Sequence, residues 1–156
     1  MKIRIFTDGA CSENPGPGGW AAVFNSAKKC KSIAGNEKST TNNRMELKAV
    51  IESLKAILNM RGCENHDFEL YSDSAYVVNT INNCWLTKWQ LNDWKTTKGD
   101  DVKNKDLWKE LALIQQKLYK QKIKIKIIKI KGHSGNTFNE MVDTLAKEQA
   151  MIAKTL

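Results

Sequence analysis

No apolar run in this chain approaches the ~18 residues that span a bilayer. The opening residues, MKIRIFTDGA, lack the apolar core and small-residue cleavage site of an export signal. The expected address is therefore the cytoplasm, with no membrane partner. Proline is scarce, and both residues, Pro15 and Pro17, fall in one stretch, Asn14-Pro15-Gly16-Pro17-Gly18-Gly19. That stretch reads as a turn between strands, and it lacks the Gly-Lys-Ser/Thr ending of a phosphate-binding loop. The four cysteines, Cys11, Cys30, Cys63 and Cys84, form no CxxC pair and no cluster with histidine. A zinc site is not expected, and without an export signal the thiols read as free. Repeats, low-complexity tracts and long linkers are absent too. The 156 residues fit one compact domain, residues 1–156, with a buried core.

What is present in excess is lysine. The net charge is +8, and residues 76–131 account for all of it, with 13 Lys against 5 acidic residues. The same segment holds Trp85, Trp89, Trp94 and Trp108. Localised positive charge interleaved with aromatics suits a polyanion such as nucleic acid. A solvated lysine-rich face would look the same, and charge alone does not choose between the two.

Hydrophobic periodicity supplies the elements. Residues 2–8 alternate as a strand, and 19–25 and 29–35 follow as two more. Residues 42–59 carry Leu47, Val50, Ile51, Leu54, Ile57 and Leu58 at helical spacing, with Thr40 or Thr41 able to cap the start. Phe68 to Asp73 reads as a strand, 74–82 and 85–92 as short helices, and 104–120 as a helix aligned on Leu107, Leu111, Ile114 and Leu118. Residues 122–130 alternate Lys and Ile, with a slip at Ile127-Ile128 that marks a bulge or the strand end. A last helix, 137–153, turns Val142, Leu145 and Ile152 inward. Strands joined through helices pair in parallel by right-handed crossovers. The early strand meander pairs antiparallel, so the class is α/β, a five-stranded mixed sheet flanked by helices.

On this plan Asp8 and Asp73 end neighbouring parallel strands, at the carboxyl edge where open α/β sheets bind ligands. Glu46 lies one turn into the connecting helix, off its main apolar stripe, and Asp143 one turn into the last helix. Crowded carboxylates repel, and hard cations relieve that repulsion. Mg²⁺ takes carboxylate and water oxygens and leaves room for phosphate. Two such ions about 3.5–4 Å apart serve an in-line phosphoryl displacement. Periodicity alone would not single out these four among 17 acidic residues.

Five local words do. Thr7-Asp8-Gly9-Ala10, Thr41-Asn42-Asn43-Arg44-Met45-Glu46-Leu47, Tyr71-Ser72-Asp73-Ser74, Lys131-Gly132-His133-Ser134-Gly135 and Asp143-Thr144-Leu145-Ala146 occur in this order. Over nearly the whole chain the sequence resembles ribonuclease H of type 1, the bacterial-type ribonuclease HI. The resemblance implies the ribonuclease H-like fold and endonucleolytic hydrolysis of the RNA strand of RNA–DNA hybrids with two Mg²⁺ ions, Mn²⁺ being the alternative. By resemblance Asp8 bridges both ions, Glu46 and Asp73 hold the leaving-group side, and Asp143 holds the attacking-water side. His133 matches a loop histidine that assists proton transfer or product release. Asn14, Asn42 and Asn43 match minor-groove contacts to the hybrid, and Thr41 matches a contact to a DNA phosphate. Asn139, one turn before Asp143, is a candidate support. Trp85 to Trp94, with Lys88, Trp89 and then Lys95, resembles a basic protrusion that grips the DNA strand. The partner implied is the hybrid itself, with no obligate protein partner and a monomeric enzyme.

Two positions depart from the family pattern. Trp89 is followed by Gln90-Leu91-Asn92-Asp93 where the protrusion is usually richly basic, so the grip is weaker or relocated. Ala75 stands where many relatives carry a glutamine, which removes one substrate contact. Among rival readings, a noncatalytic binding module would have lost some carboxylates. Transposases and junction nucleases of the same fold lack the TTNNRMEL and KGHSG words.

Overall fold

The computed structural model describes residues 1–132 and 135–156. Three strands run first as an antiparallel meander, β1 (Lys2–Cys11), β2 (Gly16–Asn25) and β3 (Cys30–Thr40). Helix α1 (Asn42–Leu58) crosses to β4 (Asp67–Ser72), which pairs parallel with β1. Short helices α2 (Ala75–Asn82) and α3 (Trp85–Leu91) and the longer α4 (Lys105–Lys120) lead to β5 (Lys124–Lys129), parallel to β4. Helix α5 (Thr137–Thr155) closes the order. The strands lie β3-β2-β1-β4-β5, the expected mixed sheet. Among the described residues no helix is long and apolar enough to cross a membrane.

Each face of the sheet has its own core. On one side the stripe of α1 and the Leu107, Leu111, Ile114 and Leu118 stripe of α4 meet Ile3, Ile5, Phe68 and Leu70. On the other, Phe6, Ala21 and Val23 meet Val142 and Ala146 of α5. The inward face of α5 is Val142, Ala146, Ala150 and Ala153, while Ile152 is 46% exposed, contrary to the sequence reading. Small residues are needed there because α5 lies almost on the backbone of β2. A β-carbon at Gly19 would collide with the Ala146 carbonyl oxygen and the Ala150 amide nitrogen.

Other boundaries shift for physical reasons. β1 does not stop at Asp8. It runs to Cys11, because β2 keeps pairing with it after its ladder with β4 has ended at Phe6 and Tyr71. The proline-glycine stretch is only partly a turn: Gly16 to Gly19 already belong to β2, with a register shift between Gly16 and Gly18. No bulge accounts for the Ile127-Ile128 slip, since the β4–β5 register is unbroken to Ser72 and Lys129. Ile127 joins the α1-side core, and Ile128 sits half-buried opposite Tyr71 on the other face.

Candidate active site

Four elements converge where β1 and β4 part. The Thr7 hydroxyl donates to the Tyr71 carbonyl at 2.9 Å, just past the last β1–β4 pair. One residue on, Asp8 is buried in β1. At Gly9 the chain meets α1 so closely that a β-carbon would collide with the Glu46 amide and the Met45 carbonyl carbon. Glu46, off the main apolar stripe of α1, is nevertheless only 5% exposed. Asp73 follows the end of β4 in a tight turn. Ser72 Oγ accepts from the Ser74 amide at 3.1 Å, and Ser74 caps α2 through the Val77 amide at 3.2 Å.

One carboxylate oxygen from each of Asp8, Glu46 and Asp73 lies within 4.8 Å of the other two. Asp143, on α5, is hydrogen-bonded to Asp8 and ion-paired with Lys147 at 2.9 Å. Burial pushes the Asp8 carboxyl up to about 7; a hydrogen bond with Glu46 offsets part of this, and the Asp73 and Asp143 charges add to it. Burial, then the charges of Asp8 and Asp73, raise Glu46 well above the usual carboxylate range. Burial and mutual repulsion thus favour the protonated forms of Asp8 and Glu46, and a bound cation would oppose that shift. Glu46 Oε2 is buried with no hydrogen-bond partner, which is costly unless something binds it. An all-oxygen donor set with an unused buried oxygen fits a hard divalent cation such as Mg²⁺ or Mn²⁺.

The other sequence candidates fall into two groups beside this cluster. Asn14, in the β1–β2 turn, accepts from the Asn42 amide at 2.9 Å, and Thr41 caps α1 through the Arg44 amide at 3.3 Å. Asn42 and Asn43 are exposed next to them. Further along, Tyr76, Thr80, Trp85, Lys88, Trp89, Asn92, Lys95, Thr96 and Thr97 line a cleft of about 820 Å³. The Lys88 ammonium stands 4.4 Å from the Trp85 ring centroid. Lys95 is engaged at 2.6 Å by Asp101, which Lys105 also approaches at 3.5 Å, so its charge is partly spent inside the protein. Asn139 is buried one turn before Asp143. His133 lies outside the described residues; Gly132 before it passes so close to Asp73 that a β-carbon would stand 3.0 Å from Oδ2.

Sequence reasoning missed three contributors. Lys147 was legible, because an acid and a lysine four apart on a helix meet. Gly9 lay inside the TDGA word, but its need for close approach shows only when α1 is docked. Arg44 lay inside the TTNNRMEL word, but its fork onto α4 gave no signal, since its partner lies some sixty positions away.

The sequence profile of the RNase H family matches residues 1–151. A protein named Ribonuclease H from Syntrophomonas wolfei is 51% identical over 146 residues, 94% of each chain. One of the same name from Thermoanaerobacter sp. is 51% identical over 147 residues, 94% of this chain and 88% of the relative. Among solved structures, LC9-RNase H1, a type 1 RNase H with the type 2 active-site motif, superposes with a TM-score of 0.79 at 26% identity, covering 97% of this chain and 73% of that one. LC11-RNase H1 in complex with RNA/DNA hybrid shares the fold, with a TM-score of 0.73 at 23% identity and coverage of 97% and 98%.

Proposed function

The chain belongs to the ribonuclease H family, and from that premise we propose that it hydrolyses the RNA strand of RNA–DNA hybrids endonucleolytically, using two Mg²⁺ ions. The observation that carries this reading is the Asp8–Glu46–Asp73 cluster, with its buried, unpartnered Glu46 oxygen. When bound, two such cations activate the attacking water and neutralise charge on the leaving oxygen. Asp8, Glu46, Asp73 and Asp143 would hold them. The protein's own contribution is to present these carboxylates on rigid element ends, with Asp8 and Glu46 raised by burial until a cation binds.

The exposed Asn42 and Asn43, with Asn14 tied to Asn42, offer amide donors and acceptors suited to the 2′-hydroxyls of a wide minor groove. Trp85, Lys88 and Trp89 on the neighbouring cleft offer stacking faces and charge to the DNA strand, and Thr41 a contact to its phosphate. His133 would carry a proton near the reacting groups, as an imidazole titrating near pH 6.5 can. The deciding assay presents one base sequence as RNA–DNA, RNA–RNA and DNA–DNA duplexes, with and without Mg²⁺. Internal cleavage of only the hybrid, and only with the ion, is expected. Equal turnover of double-stranded RNA would overturn the hybrid preference.

A further inference from the structure

Arg44 stands two residues before Glu46, in the first turn of α1. Its guanidinium forks onto Asp106, Nη1 to Oδ1 at 2.9 Å and Nη2 to Oδ2 at 2.7 Å, and Nη1 also donates to Asn104 Oδ1 at 3.3 Å. Asn104 precedes α4 in a left-handed conformation, φ 60°. Its Nδ2 donates to the Tyr76 hydroxyl at 3.0 Å, to which the Trp108 indole also donates at 2.9 Å. Tyr76 lines the aromatic–lysine cleft. Trp108 packs on Trp89 at 5.8 Å between centroids, and Trp89 on Trp85 at 6.0 Å. An unbroken polar and aromatic path therefore runs from the turn that carries Glu46 to the wall of the cleft.

We propose that Arg44 is a positioning residue, which holds the aromatic–lysine cleft in register with the carboxylate cluster so that both engage one hybrid at once. The proposal rests on the functional reading above. An ion pair with so exposed an acid, Asp106 at 66%, contributes little to stability. Stability is not what this geometry serves best. A two-pronged fork resists sliding and rotation together, which a single ammonium contact does not. Two grips on one stiff duplex reinforce each other only while their spacing matches it. A loosened joint lowers the effective concentration of the second grip once the first has formed.

The test is a series of hybrids of increasing length, with KM and kcat measured for each. In the wild type KM falls at the length where the duplex first reaches the cleft, and a Trp85→Ala variant identifies that length by losing the fall. Arg44→Ala should lose it too, raising KM for the longer hybrids about 10-fold with kcat within about twofold, while the shortest cleavable hybrids are processed as by wild type. Asp106→Ala should match it, and the double variant should be no worse than either, as for partners in one contact. Arg44→Lys should recover part of the loss. Cleavage of the shortest hybrid by the same preparations reports the folded fraction. A loss equal at every length, or an unchanged KM, would overturn the inference while leaving the functional reading intact. A wild type that cleaves no hybrid of any length would overturn both.

Discussion

At the scale of single residues, the carboxylate cluster is a strained arrangement in the absence of cations. The folded-state pKa of Asp8 is about 7, above the ordinary 3.8. A raised acid favours the folded state fully below its unfolded pKa, and that favour is lost as pH rises through the folded value. Metal-free protein should therefore lose stability between about pH 4 and 7. Asp8→Asn should remove Asp8's share of that loss, leaving the variant more stable than wild type at pH 7.5 by an amount on the order of 1–3 kcal/mol. Urea titrations in chelator at pH 5 and pH 7.5 measure the difference, and a variant no more stable at the higher pH would contradict the burial argument. The same substitution should abolish Mg²⁺-dependent cleavage. His133→Ala should act differently: proton-transfer assistance is typically worth 10²–10⁴-fold, and assistance to product release less. Its kcat should drop by an intermediate factor, with hybrid affinity and Mg²⁺ dependence unchanged. A variant with wild-type kcat would make His133 a bystander.

At the scale of elements, the position of a ligand depends on how closely a helix approaches the sheet. Helix α5 carries Asp143 and rests on Gly19. Gly19→Ala must lift it, at an overpacking cost of about 1–3 kcal/mol, and Asp143 moves with its helix. The expected result is a lower denaturation midpoint together with a higher Mg²⁺ requirement for cleavage. Lost stability with an unaltered Mg²⁺ curve would separate α5 packing from the site. Such packing was the least legible part of the sequence. The stripes of α1 and α4 were readable because large apolar residues at helical spacing name the buried face. On α5 the buried face is mostly alanine, which carries almost no periodic signal, so the larger Ile152 drew the reading outward. Strand ends misled for a related reason: alternation locates a strand, but only its neighbour decides where pairing stops.

At the scale of the whole molecule, the lysine excess of residues 76–131 divides into free and engaged charge. Binding of hybrid should weaken with salt, as counterions are released from phosphates. Lys88→Ala should flatten the log–log salt slope by about one, and Lys95→Ala by less, because Asp101 already holds that ammonium. Equal slopes for Lys88→Ala and wild type would put the basic contact elsewhere. Composition could show where the charge was concentrated, but not which lysines were paired, since pairing depends on the turn that brings Lys95 beside Asp101. The carboxylates were legible as family words; the burial of Asp8 and Glu46, which raises both, was not, because it arises only where distant segments meet. That dispersal also bears on how the protein is made. Synthesis proceeds at about 5–20 residues per second, and a domain generally folds as a unit. Asp8, Glu46 and Asp73 emerge from the ribosome well before α5, so a nascent chain lacks its fourth carboxylate until the last helix docks. Nuclease competence would on this account arrive in one late step, when α5 docks on β2 and brings Asp143 to the other three carboxylates.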